Sequence, residues 1–162
     1  MANSTVRLQI GGLRAMQARL EALGPELQKA AEKAVLRAGA VPIRKAAKRF
    51  AKNSKDTGLL MQSISLSVKT NKGVTSARVG PRRGMRKKVT RTNSTTGETY
   101  EEIADPNNYS HLVEYGTSHS AAKPFIRPAI DAAQDEVLSA MASGLDKHLT
   151  RVAARLAARQ SA

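Results

Sequence analysis

Three histidines, His111, His119 and His148, are the only candidates in this sequence for a general base near neutrality. A nucleophile needs its base within hydrogen-bond reach and a third group to orient that base. Ser118-His119-Ser120 sets hydroxyls beside an imidazole, but loop neighbours seldom reach that geometry, and no histidine has metal-ligand spacing. Asp56-Thr57-Gly58 lacks the spaced glycines, the lysine and the following helix of a phosphate cradle, so it reads as a helix-ending turn. The carboxylates Glu98, Glu101, Glu102 and Asp105 lack calcium-loop spacing and face an excess of lysine and arginine. With no cysteine in the chain, thiolate chemistry and Cys-ligated zinc are excluded as well. The residues therefore assign no catalytic group, no cofactor and no metal, and the chain reads as a non-enzyme.

Charge is the strongest remaining signal. The net charge is +14, and between Glu32 and Glu98 a single acidic residue, Asp56, stands against seventeen lysines and arginines. Arg82, Arg83, Arg86, Lys87, Lys88 and Arg91 form a basic patch suited to partner contact. Such a field attracts polyanions and equally the acidic faces of proteins. Two readings are open. In one, a DNA-binding protein grips phosphates with this arm and with the helix face Lys29, Lys33, Arg37, Arg44, Lys48 and Lys52. In the other, a structural subunit turns the same surfaces toward neighbouring proteins. The patch has no interleaved aromatic residues for base stacking, which disfavours single-strand binding.

The elements that must position these residues belong to an α+β fold in one domain, 1–162, with a charged excursion at 82–107. Val6, Leu8 and Ile10 alternate with Arg7 and Gln9, predicting an N-terminal strand, and Leu13, Met16, Leu20 and Leu23 predict a short helix before Gly24-Pro25. Leu27, Ala30, Ala31, Ala34, Val35 and Ala38 keep helical spacing. Gly39 and Pro42 interrupt that series and the phase restarts at Ile43, Ala46, Ala47 and Phe50, predicting one long helix kinked at the proline and ending near Lys52. Ile64, Leu66 and Val68 alternate with polar residues, Asn71-Lys72-Gly73 turns the chain, and Val74 to Val79 returns, predicting an antiparallel hairpin of a central sheet.

Between 82 and 107 basic residues precede Asn93 to Gly97 and acidic ones come after, which fits either a hairpin with opposite charges across its strands or a solvated loop. Asn107 to Thr117 fits a helical turn or a short strand. From Pro124, the residues Ile126, Ile130, Ala133, Val137, Met141, Leu145, Leu149, Val152 and Leu156 predict a long C-terminal helix that Gly144 could bend. With five aromatic residues and many alanines the core should be thin, and contacts with neighbouring subunits are expected to complete it. The N-terminus has no secretory-signal pattern and no stretch is long and apolar enough for a membrane span.

Two stretches carry a resemblance. Thr57-Gly58-Leu59-Leu60-Met61-Gln62-Ser63-Ile64 and Glu114-Tyr115-Gly116-Thr117, the latter followed by Lys123-Pro124-Phe125-Ile126-Arg127-Pro128-Ala129, resemble in order and position the motifs of the tail-completion or neck proteins of long-tailed double-stranded-DNA bacteriophages. In physical terms Thr57, Gly58, Leu60, Ser63 and Ile64 enter a strand. Glu114, Tyr115, Gly116, Thr117, Pro124, Phe125, Arg127 and Pro128 form a sheet-to-helix junction, with Gly116 at a chain reversal, Phe125 as its plug and Glu114 and Arg127 as a buried pair. The resemblance implies a structural subunit of the head-tail junction, closing with copies of itself into a ring that the tail's symmetry suggests is six-fold. Its implied partners are a head-completion protein and tail terminator or tail tube proteins, with transient proximity to packaged DNA and no membrane. Its implied location is the virion, after assembly in the host cytoplasm.

Overall fold

The computed structural model describes Met16, Ala18, Glu21, residues 25–52 and residues 58–160, apart from the side chains of Glu26, Leu156, Arg159 and Gln160. The N-terminal strand read at Val6 to Ile10 and Thr57 lie outside the described residues, as do Leu13, Leu20 and Leu23 of the first short helix. Met16 of that helix is helical and buried.

Helix α1 runs Pro25–Ala51 without interruption at Gly39 or Pro42. Pro42 removes one backbone donor, yet the alanines on both sides are strong helix formers and the surrounding side chains are held by tertiary packing, which outweighs local propensity. After the short helix α2, Leu59–Ser63, strands β1 (Ile64–Asn71) and β2 (Val74–Pro81) pair antiparallel from Ile64 opposite Pro81 to Asn71 opposite Val74. Lys72 and Gly73 alone form the turn, at φ 48° and 79°. Two successive positive φ values make the left-handed two-residue turn whose twist matches that of the strands.

A second hairpin joins β3 (Lys87–Thr92) to β4 (Thr99–Ala104) in its own two-stranded sheet, so of the two readings of the charged excursion the structure shows the hairpin. Helix α3, Pro106–Tyr115, and the long α4, Arg127–Gln160, complete the chain. The segment 107–117 thus falls mostly within a ten-residue helix, and the last helix starts at Arg127, so that Pro124 precedes it and Pro128 sits in its first turn.

Helices α1 and α4 lie antiparallel. Ala31 and Val35 pack with Leu145 near one end, and Ala46, Ala47 and Ala51 pack with Phe125 and Ala129 near the other. The β1–β2 hairpin lies against α1, where the Thr75 hydroxyl donates to Glu32 Oε2 at 3.0 Å. Eight of the seventeen described buried apolar residues are alanines, so little area is buried per residue but the helix axes can come close. A close approach is seen at Gly144 of α4, where an added Cβ would stand 2.5 Å from the Ala38 Cβ of α1. Gly144 is therefore a contact residue of the helix pair.

Gly144→Val should lower the unfolding free energy by about 2 kcal/mol through overpacking. In a Gly144→Val chain Ala38→Gly should cost less than it does alone, since the two sites share one contact. Urea denaturation of the four chains checks this, and additive losses would place the contact elsewhere.

Candidate functional site

The junction between α3 and α4 gathers most of the second motif around one carboxylate. Helix α3 starts at a cap that the motif does not include: Asp105 Oδ1 accepts from the Asn107 N–H at 3.0 Å, and Pro106 occupies the first turn. Asp-Pro at a helix start is a readable signal, since the side chain satisfies a free amide and proline has none to leave unpaired. The helix ends at Gly116, φ 77°, whose N–H donates to the Leu112 carbonyl at 2.8 Å. A Cβ there would lie 2.8 Å from Ala122 N and 2.9 Å from Ser120 O, so both backbone angle and space demand glycine.

Thr117 and Ser120 then bridge, Thr117 Oγ1 accepts from the His119 N–H at 3.2 Å, and the Lys123 N–H returns to the Val113 carbonyl at 2.8 Å. This closed loop aims residues 125–127 at α3. Glu114, 7% exposed, accepts three backbone N–H groups there: Phe125 at 2.8 Å and Ile126 at 3.0 Å on Oε2, and Arg127 at 3.2 Å on Oε1. These are donors at the N-terminus of α4, which no carbonyl of the helix itself can satisfy. An anion there is also favoured by the helix dipole.

The pair expected between Glu114 and Arg127 is corrected accordingly. The carboxylate meets Arg127 through its main chain, while the guanidinium lies 4.6 Å from the centroid of the exposed Tyr115 ring. An extended backbone approaching a side chain on the preceding helix presents its amides first, and the long arginine is left to stack at the surface. Phe125, 2% exposed, fills the space below, packed with Ala47, Leu60, Ile64 and Ala129. Exposed Pro124 stiffens the approach and half-buried Pro128 needs no donor in the first turn.

The first motif reaches the same core. Gly58 begins α2 at φ 68° with open space around it, so its role is conformational. Fully buried Ser63 donates to the Leu60 carbonyl at 2.7 Å, and Ser63 O accepts from the Arg82 N–H at 2.9 Å, tying strand entry to the end of β2.

The basic patch divides. Arg86 meets Asp105 at 3.3 Å, Arg91 meets Glu102 at 2.8 Å and Lys88 meets Glu101, each pair at the hairpin or its base. The two pairs within the ribbon are diagonal, for Lys88 stands opposite Ile103 and Arg91 opposite Tyr100. Long side chains reach the diagonal site on the same face, so acid and base neutralise each other while apolar residues fill the directly facing positions. Asn93 shapes the tip, its Oδ1 accepting from Thr95 N–H at 2.9 Å and Thr96 N–H at 3.3 Å. Val89 and Ala104 on the inner face are buried with Leu59, which anchors the ribbon to the body, whereas Tyr100 and Ile103 are exposed, Ile103 at 67%. Arg82, Arg83 and Lys87 are exposed around the base of the ribbon.

The histidines are distributed over α3, the 117–120 bridge and α4; His148 Nε2 is buried without a hydrogen-bond partner. Among the described residues no group of three His, Asp or Glu side chains is placed to hold a metal ion, and no helix is long and apolar enough to cross a membrane.

A family model described as "HK97-gp10_like: Bacteriophage HK97-gp10, putative tail-component" matches residues 14–116. The match ends at Gly116, so Phe125 and the start of α4 lie beyond it. No curated protein and no solved structure gives a significant match to the chain.

Replacing Glu114 by alanine leaves three amides facing a buried void and should cost about 2–3 kcal/mol, with Glu114→Gln, which keeps one acceptor oxygen, intermediate. Arg127→Gln should cost under about 1 kcal/mol, the worth of an exposed cation–π contact. Thermal or urea unfolding ranks the three; equal losses at 114 and 127 would restore the ion-pair reading.

Proposed function

Because this chain belongs to the HK97-gp10-like family of bacteriophage tail components, we propose that it is a structural subunit of the head-tail junction, a tail-completion or neck protein acting without catalysis. The observation that carries this is the family match, which spans α1, both ribbons and α3. On this reading residues 1–162 act as a single unit. Copies associate head to tail into a closed ring, six-fold as the resemblance implies, because a repeated heterologous contact closes when its rotation divides a full turn. The ring sits in the virion between a head-completion protein and tail terminator or tail tube proteins, after assembly in the host cytoplasm.

The charged ribbon is the contact element of this proposal. It stands on a small anchor of Val89, Ala104 and Leu59 and exposes one large apolar side chain on each face, Ile103 on the outer and Tyr100 on the other, each suited to contact with a neighbouring protein. Arg82, Arg83, Arg86, Lys87, Lys88 and Arg91 flank it as a polar rim. The thin alanine core supports the same reading, since association adds buried area that the single chain does not supply.

Purified protein should form rings visible by electron microscopy, with a mass by light scattering that is a multiple of the 17.4 kDa chain. Ile103→Lys should shift that mass toward the monomer without lowering the melting temperature. Phage lacking the protein should accumulate separate heads and tails. A monomer at all concentrations, together with normal joining in its absence, would reject the proposal.

A further inference from the structure

The sorting of charge in the fold points to a different surface from the basic arm. The segment 86–105 carries four basic residues, Arg86, Lys87, Lys88 and Arg91, and four acidic ones, Glu98, Glu101, Glu102 and Asp105, so the ribbon is neutral as a whole. Helix α1 instead carries seven lysines and arginines against Glu26 and Glu32, a net +5. Glu32 accepts hydrogen bonds from Thr75 and Gln28 and is turned to the β1–β2 ribbon.

Five of the seven cations share one side of α1. At 100° per residue Lys29, Lys33, Arg37, Arg44 and Lys48 fall within an arc of about 100°, and they extend over about 28 Å of axis. The first three come at four-residue steps, about 6 Å apart. Lys29, Lys33 and Arg37 are exposed and Arg44 and Lys48 half-buried. Glu32 points about 60° to the other side of Lys29, and Glu26, three residues before Lys29, falls on the cations' side at the N-terminal end of the helix, outside the 29–48 stretch.

We propose that this row on α1 is a phosphate-tracking surface for duplex DNA, bound without sequence preference. A duplex presents one negative charge per about 1.7 Å of axis, and the exposed cations Lys29, Lys33 and Arg37, about 6 Å apart, can each meet a phosphate of one strand. The geometry favours this occupant over an acidic protein face. A protein surface meets such a row with mixed charges and apolar contacts, and the exposed cations Lys29, Lys33 and Arg37 have no large exposed apolar residue on their side of the helix, while between Arg37 and Lys48 that side is partly covered by the protein itself, Ala40 being 6% and Ala47 0% exposed. Base stacking is not offered either, so the contact reads backbone alone. The inference stands on the charge pattern and does not depend on ring formation.

The test uses the full chain and a fluorescent 30-base-pair duplex, with anisotropy measured over a salt series. The wild-type chain should bind with an affinity that falls linearly in log salt. Lys29→Gln/Lys33→Gln/Arg37→Gln, with unchanged circular dichroism, should lower the affinity at least tenfold and flatten the log–log slope by about 2.7, or 0.9 for each lost phosphate contact. Arg86→Gln/Lys88→Gln/Arg91→Gln should leave both nearly unchanged. The inference is overturned if the helix variant binds as the wild type does, if the ribbon variant loses the affinity instead, or if the wild type does not bind the duplex. In the last case the row is left to an acidic protein partner. Ring assembly, scored separately by light scattering, is expected to persist in the helix variant whichever way the DNA result falls.

Discussion

A single buried carboxylate decides where the two halves of this fold meet. Glu114 sits at the end of α3 and takes the three backbone donors with which α4 begins, so one side chain terminates one helix and starts the next. An unpaired charge at that depth would be expensive, and unpaired amides nearly so; each is the other's solution. The return of Lys123 N–H to Val113 fixes the separation, and Gly116 permits the reversal that brings them together. Phe125 is carried into the core by the same backbone whose amide is held. Disturbing the carboxylate therefore moves the largest apolar side chain of the junction as well.

That anchor sets the direction of α4, and alanine sets how closely the helix can lie on α1. With Ala31, Ala47, Ala129 and Ala133 at 2% exposure or less, the interface gains from nearness of backbones rather than from bulk. Glycine at 144 continues the same logic to its limit, where one methyl group already meets Ala38. Such an interface tolerates few enlargements, and an error in the angle set at Glu114 grows along a helix of 34 residues. The cap and the small-residue seam are thus two halves of one constraint.

Much of this was legible in the residue pattern. Period-two alternation located β1 and β2, and Asn71-Lys72-Gly73 located their turn, because alternation and left-handed turn residues are local signals. Helical spacing located α1 and α4 for the same reason. Pro42 lies inside one continuous helix, as the restart of the apolar phase after it indicated; its local cost is visible in the sequence, and the tertiary packing that offsets it is not. The Glu114 partner was misassigned because side-chain charge is written in the sequence, whereas backbone amides are written nowhere; every residue but proline has one. At Gly144 spacing alone shows a missing side chain, not the Ala38 that stands against it. The hairpin was half visible: sorted charge suggested facing arms, but diagonal pairing depends on register, and register was settled by burying Val89 and Ala104.

Register also explains why the most basic-looking stretch is not the most basic surface. Shifting the β3–β4 pairing by one residue would put Val89 and Ala104 on opposite faces, so that burying one would expose the other, and burial therefore selects one alignment. That alignment brings Lys88 to Glu101 and Arg91 to Glu102 on shared faces, and the run of cations seen in one dimension is cancelled by carboxylates further along the chain. Helix α1 receives no such cancellation, because its period of 3.6 carries Glu32 to the face that meets β2 and leaves five of its seven lysines and arginines together on another. The excess charge of the chain is accordingly a property of the helix and its neighbours, and the ribbon, neutral and carrying exposed apolar residues, is left to contacts of another kind.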